Sequence, residues 1–434
     1  MSKKSKLSIW LSCLLYRFLL ENVYTDFLAP RWASYGFRSE VPSSGLYVFM
    51  WMMHVISIPW LITLLEKTTF SAVNISCLIL FAYMPALVHY TYQPIVFMPE
   101  YLAYWLCIFL FYSLSNLRRS IPFRIGRSED KFIKTVSIWL FLLSFYVWAV
   151  YSRFHIQTSL LDVYGQRQIA SRWNMSFILT YIFSSIQFMV PFIVAVAIDR
   201  KHYRLVFLVF AAQIINFFAQ GSKSSIFGVV LSMAAYFFFR SAGSLKRLPF
   251  AAMMLALGTL LECMFSSTSF ILDVFLRRAL FVPTLLNIHY YDYFSKNPPD
   301  YYMGNFMRLF GFSSKYTRIY GSIPKLIGLE YFRGSSMYAN NGLFSDAWSE
   351  LGIPGLVILP FFLVAVLKIF DRCVGYSEKP GVIAGASILT MFSLIGSLLC
   401  TNLFSHGFIV TMLAFCFMNK NGRICRLRLF HRRK

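Results

Sequence analysis

Apolar and polar positions alternate along this chain in blocks. Hydrophobic runs at about 7–28, 45–65, 70–91, 96–117, 132–151, 175–198, 203–219, 224–240, 248–266, 352–370, 382–399 and 403–418 are separated by short polar joints. A run of roughly 20 apolar residues is long enough to carry a helix across the hydrocarbon core of a bilayer. The pattern therefore predicts an all-α fold: a polytopic integral membrane protein with about twelve transmembrane helices. The first run is the doubtful one, because Arg17, Glu21 and Asp26 are costly at mid-bilayer. It could span, or lie in the interface as an amphipathic helix. The joints decide. Those at 118–134, 200–204 and 240–247 and the tail at 420–434 are basic. They share a side with Lys3, Lys4 and Lys6 only if the first run spans, and Lys and Arg collect in cytoplasmic joints. Both termini are then inside, and 152–174, 220–224 and 267–351 are outside.

The segment 267–351 breaks the pattern. It is polar and rich in tyrosine, and it carries Arg277, Arg278, Lys296, Arg308, Lys315, Arg318, Lys325 and Arg333. Its acids are Asp273, Asp292, Asp300, Glu330, Asp346 and Glu350. Charges steer insertion only over loops of up to roughly 60 residues, so a ligand accounts better for these basic residues than topology does. The chain reads as one polytopic membrane domain over 1–434, with 267–351 as one large extracytoplasmic loop. It shows no internal repeat, coiled coil or low-complexity segment.

Composition sharpens this picture. Of 434 residues, 58% are hydrophobic and 14% charged, with mean hydropathy +0.59, against roughly 25% charged in a soluble domain. A net charge of +23 would suggest nucleic acid in a soluble protein. In a membrane protein it reflects basic joints and anionic lipid head groups, so no nucleic-acid partner is expected. The eight cysteines, Cys13, Cys77, Cys107, Cys263, Cys373, Cys400, Cys416 and Cys425, avoid the insert and form no CxxC. Neither a disulfide framework nor a zinc site is expected. The first run has no small-residue cleavage site after it and does not read as a signal peptide.

Candidate chemistry lies on the outer side. Arg277 and Arg278 follow a span, where two guanidinium groups could hold a lipid-linked pyrophosphate through bidentate hydrogen bonds or serve as interfacial anchors. Arg167 and Arg172 could converge on an anion or sit on a solvated loop. The stretch QGSKSS (220–225) opens a span from outside. It lacks the P-loop pattern and faces the wrong side for a nucleotide. It suits a helix N-terminus facing an anion, with Lys223 beside it, or a serine cap. Acid–base candidates are His289, Asp292, Asp346, Glu350 and His406; Asp346 and Glu350 share a helix face, and either could instead be an arginine's partner. With no HExxH, DxD or acid–histidine cluster, no metal is expected. The tyrosines, from Tyr290 to Tyr338, could stack on sugar faces or form an interfacial belt.

The residues NNGLFSDAWSELGIP (340–354), RRALFVP (277–283) followed by YYDYF (290–294), and GFR (36–38) resemble the Wzy-type O-antigen and capsular polysaccharide repeat-unit polymerases; GSKS (221–224) is a weaker echo. The resemblance covers the layout of nearly the whole chain through short motifs. It implies a glycosyltransferase at the outer face of the bacterial cytoplasmic (inner) membrane that moves a growing glycan from undecaprenyl pyrophosphate onto a lipid-linked repeat unit. Its partners would be the undecaprenyl-pyrophosphate-linked oligosaccharide, membrane lipid and a chain-length regulator protein. On this resemblance Arg167, Arg172, Arg277 and Arg278 become pyrophosphate binders, Asn341 a substrate contact, and Asp346 the acceptor contact or catalytic base. Related ligases show a histidine near the start of the late motif, where this chain has YAN (338–340); that departure disfavours a ligase. A transporter or flippase predicts charged residues deep in its spans, and here the polar residues within spans are few: His54, Gln187, Gln213, Asn216 and Glu262.

Overall fold

The computed structural model describes residues 2–93, 98–115, 129–156, 164–241, 243–266, 269–305, 307, 310–332, 337–374 and 379–418. Most of the first basic joint, the basic tail, Arg308 and Arg333 lie outside those residues, as does the side chain of Arg167. Among the described residues every regular element is helical, and each apolar run named above forms a helix. Among the described residues, six helices are long and apolar enough to cross a membrane.

The middle of the molecule is α3 (Phe70–Tyr92), entered from α1 (Lys3–Asn22) and α2 (Ser44–Leu65). It contains no Asp, Glu, Lys or Arg, and its most apolar stretch is wholly buried. A helix that is apolar on all faces belongs in the interior. Two of its polar side chains tie it to its neighbours: Asn74 donates to Ser387 Oγ at 3.0 Å, and His89 Nδ1 pairs with Thr284 Oγ1 at 2.6 Å.

The charges that make the first run doubtful turn inward. Arg17 is 0% exposed and bonds Glu21 at 2.9 Å, one turn along α1. Its other donors reach Met50 O at 3.3 Å and Thr91 Oγ1 at 3.2 Å, and its guanidinium lies 4.9 Å from the Trp51 ring. A paired, fully bonded arginine is tolerable where a lone one is not.

Further helices are α4 (Pro99–Leu114), α5 (Glu129–Val150), α6 (Tyr164–Ser171), α7 (Phe177–Asp199), α8 (Tyr203–Gln220), α9 (Lys223–Phe239) and α10 (Leu248–Phe265). Polar ties sort the helix ends into two poles. At one, Asp371 accepts from Ser71, Lys379 pairs with Asp199, and His202 with Asp130 at 3.3 Å. At the other, Asp273 accepts from Trp32 Nε1 at 2.8 Å and pairs with Arg31 at 3.0 Å. The alternation read from the joints requires ends sorted in this way.

The segment 267–351 is not a free, wet loop. A wide-wound stretch, Ile271–Phe281, runs straight into α11 (Val282–Lys296), followed by α12 (Lys315–Tyr320), α13 (Ile323–Tyr331) and α14 (Phe344–Leu351). α11 packs on the end of α3, where Asn287 donates to Tyr90 Oη at 3.2 Å. The tyrosines are largely absorbed by packing: Tyr290 and Tyr316 are buried, and Tyr291 lies 5.1 Å from Trp348 between ring centroids. Tyr301 and Tyr338 remain exposed. A sugar platform built from the whole set is therefore excluded.

The last helices are α15 (Gly355–Val374), α16 (Pro380–Gly396) and α17 (Phe408–Met418). α16 approaches α7 and α9 closely because Gly381 and Gly385 face Tyr236, Arg240 and Ser232; a Cβ on Gly385 would lie 3.0 Å from Ser232 O. Small residues in such a seam let helix backbones meet.

Candidate functional site

The close seam around α16 leaves room at its outer-motif end. There a cleft of about 710 Å³ opens between α6, α7, α8, α9, α16 and the turn before α17. Phe183, Phe188, Leu389 and Phe392 form its apolar walls. Thr180, Ser184, Gln187, Gln213, Gln220, Ser222, Ser225, Ser393 and His406 supply the polar lining, with no acidic residue. A large apolar cavity with a few convergent polar groups is the form a ligand site takes.

Local sequence builds the mouth. α8 ends because Gly221 takes a left-handed conformation (φ 64°) and returns its N–H to Phe217 O at 2.8 Å, a glycine cap. α9 starts two residues later, so Ser222, Lys223 and Ser225 place a helix N-terminus, with its positive dipole end, at the cleft. Gln166 ties α6 to the same corner by donating to Ala219 O. Inside, Gln213 is 1% exposed and its Nε2 has no hydrogen-bond partner among the described residues; Gln187 Nε2 is alike unpartnered. Buried polar groups are normally satisfied, and both of these residues belong to the cleft's lining.

His406 forms the opposite wall, held by a defined network. Asn402 Nδ2 donates to the carbonyls of Ser393, Ser397 and Leu398 at 3.1, 3.0 and 3.0 Å. Its Oδ1 is thereby turned to accept from Ser393 Oγ–H and from His406 Nδ1 at 3.3 Å, while His406 Nδ1 also lies 3.0 Å from Ser393 Oγ. With Asn402 Oδ1 an acceptor and the Ser393 hydroxyl hydrogen committed to it, Nδ1 is assigned as the donor of the neutral ring, which leaves the lone pair on Nε2. Gly407 fixes the ring's place: at φ 80° it backs onto α7 so closely that a Cβ would lie 2.3 Å from Ser185 Cα. Gly407→Ala should cost about 1–3 kcal/mol and lower the melting temperature of the purified protein, with the loss read in a detergent thermal-shift assay.

Of the residues singled out in the sequence as candidate chemistry, His406 lines this cleft, and several of the basic ones stand next in sequence to its lining. Lys223 is half-buried next in sequence to Ser222 of the lining, and Arg172 is exposed beside Trp173, a wall residue. Arg278 is exposed one turn beyond Phe275, whose ring meets Phe392 at 5.8 Å. Arg167 belongs to α6, one turn before Ala170 of the wall. Arg277 turns away: it is 8% exposed, with its guanidinium 3.7 Å above the Trp32 ring. It packs against the N-terminal segment.

Asn341 and Asp346 lie in the interior. Asn341 is 3% exposed and donates to Pro283 O at 2.9 Å, Asn287 Oδ1 at 2.9 Å and Ser345 Oγ at 2.8 Å, fastening the late motif to α11. Asp346 is 0% exposed; Oδ1 accepts from Tyr302 Oη at 3.2 Å and Oδ2 from Leu399 N at 2.6 Å. Burial pushes its carboxyl up to about 7. Glu350, also buried and raised well above its usual range by desolvation, accepts from Tyr302 N at 2.7 Å and Asn305 Nδ2 at 2.6 Å. The two acids are internal acceptors that hold the 300–305 turn and the 399–405 turn in place. Both oxygens of Asp346 are bonded in the interior, where it lines a void of about 10 Å³ with Tyr104 and Leu399. His289 is stacked on Tyr331 at 4.4 Å, and burial lowers its pKa to about 4; Asp292 is engaged by Lys296 at 2.6 Å and by Tyr331.

Sequence reasoning noticed Gln187 and Gln213 only as isolated polar residues in spans, and it missed Ser393 and Asn402. The signal was present: polar side chains inside apolar helices face the bundle interior or a cavity. Comparison with family models, curated proteins and solved structures returns no match.

Proposed function

We propose that this chain is a polysaccharide polymerase of the lipid-linked type. It would cross the bacterial cytoplasmic membrane about twelve times and transfer a growing glycan from undecaprenyl pyrophosphate to a lipid-linked repeat unit in the cleft. The observation that carries the reading is the meeting of the α9 N-terminus, through Ser222 and Ser225, with the buried Gln213 in one acid-free cavity, with Lys223 next in sequence to Ser222. Such a set accepts an anion and hydrogen-bonding oxygens together, as a pyrophosphate joined to a sugar presents them. Lys223, Arg172 and Arg278 would surround the pyrophosphate. The apolar walls suit the first isoprenoid units.

A flippase is less well supported. It needs ionisable groups along a path through its spans, whereas Arg17 and Glu21 are bonded to each other inside the bundle. Deletion of the gene in its host tests the reading through the length of the surface glycan. Single repeats that return to long chains on complementation are expected. An absence of surface glycan would point to a ligase or flippase instead.

A further inference from the structure

Transfer between two lipid-linked glycans requires a group that takes the proton of the attacking hydroxyl, and the anion-holding wall of the cleft offers none. We infer that Nε2 of His406 is that base. The inference rests on the proposed glycan transfer and on three observations. The ring lines the same cleft as Gln213 and the start of α9. Its Nδ1 is committed to Asn402 Oδ1 and Ser393 Oγ, which leaves the Nε2 lone pair for a proton. The ring is also held in place, because Asn402 is clamped by three carbonyls and Gly407 is seated against Ser185. A base oriented by a third group is the arrangement that activates a weak hydroxyl nucleophile.

The step balances with the groups named. The acceptor hydroxyl gives its proton to Nε2 as its oxygen bonds to the anomeric carbon of the growing glycan. The bond from that carbon to the pyrophosphate oxygen breaks, and the electron pair leaves with undecaprenyl pyrophosphate. That leaving group is a stable anion and needs no proton, so one base suffices. The imidazolium then returns its proton to water. Asp346 has no such access, since both its oxygens are bonded in the interior.

The test is His406→Asn in the deletion strain. The asparagine nitrogen can replace Nδ1 as donor to Asn402, while the Nε2 lone pair is removed. Polymer should fall at least ~100-fold, the lower end of what a general base contributes, with lipid-linked single repeats accumulating at wild-type membrane abundance. Wild-type chain lengths would overturn the assignment. If the variant is lost from the membrane, the wild-type protein serves, treated in membrane vesicles with diethyl pyrocarbonate, which acylates unprotonated imidazole. Carbethoxylation of His406, loss of elongation, and recovery of both with hydroxylamine are expected. Elongation that persists with His406 modified, or that is lost with His406 unmodified, overturns the assignment. A deletion strain arrested at single repeats alongside normal lengths from His406→Asn removes only the base. A deletion strain without that arrest removes the transfer reading and the base with it.

Discussion

Arg17→Ala should destabilise the protein by about 3–5 kcal/mol, the cost of breaking a buried ion pair on one side only. The substitution leaves Glu21, 6% exposed, without its partner in the bundle, and removes the donors to Met50 O and Thr91 Oγ1. The pair itself is a poor source of stability, because two desolvated charges roughly cancel their own attraction. The double variant Arg17→Met with Glu21→Leu should therefore recover most of the loss. Thermal unfolding in detergent, with membrane abundance measured in parallel, separates the two expectations. A single variant as stable as the wild type would show that α1 admits water at this depth.

Asp346→Asn should stabilise the protein at neutral and alkaline pH and change nothing near pH 3. The sign follows from proton linkage. Burial pushes the native carboxyl up to about 7 from the ordinary 3.8, so the folded state holds its proton over a range where the unfolded state has released it. Stability from this group is fully present below 3.8, declines as pH rises, and is lost above about 7. A gap of that width corresponds to a few kcal/mol, on the order of 4 at most. Asparagine keeps an oxygen for Leu399 N and a polar contact for Tyr302 Oη, but has no charge to bury. Melting temperatures of the two proteins should converge at low pH and diverge with rising pH. The same variant should retain long glycan chains, because Asp346 does not face the cleft. Loss of polymer from a stable Asp346→Asn protein would restore the acid as a participant in transfer.

Much of the architecture was legible in the chain. Helical runs at bilayer length, the basic joints and the charge-free stretch that becomes α3 are local properties, set by the transfer free energy of each segment. They predicted the helices to within a few residues at most ends; for example, the run read at 203–219 forms Tyr203–Gln220. Lys223 at a helix start was likewise readable, because a glycine cap followed by serines is a local signal.

What only the tertiary structure decided was the direction in which each polar side chain points. Arg277 and Arg278 are neighbours in sequence, and the winding of one helix sends the first onto Trp32 and the second to the surface. Asp346 stands in the motif that looked most chemical, yet its partners Leu399 and Tyr302 lie 53 and 44 residues away, and they make it an internal acceptor. His406 gained its meaning from Asn402, Ser393 and the backing of Gly407 on α7, and from a cavity shared by helices distant in sequence. Hydropathy is summed along a segment and survives in one dimension. A site depends on which few side chains converge, and that convergence is a property of packing alone.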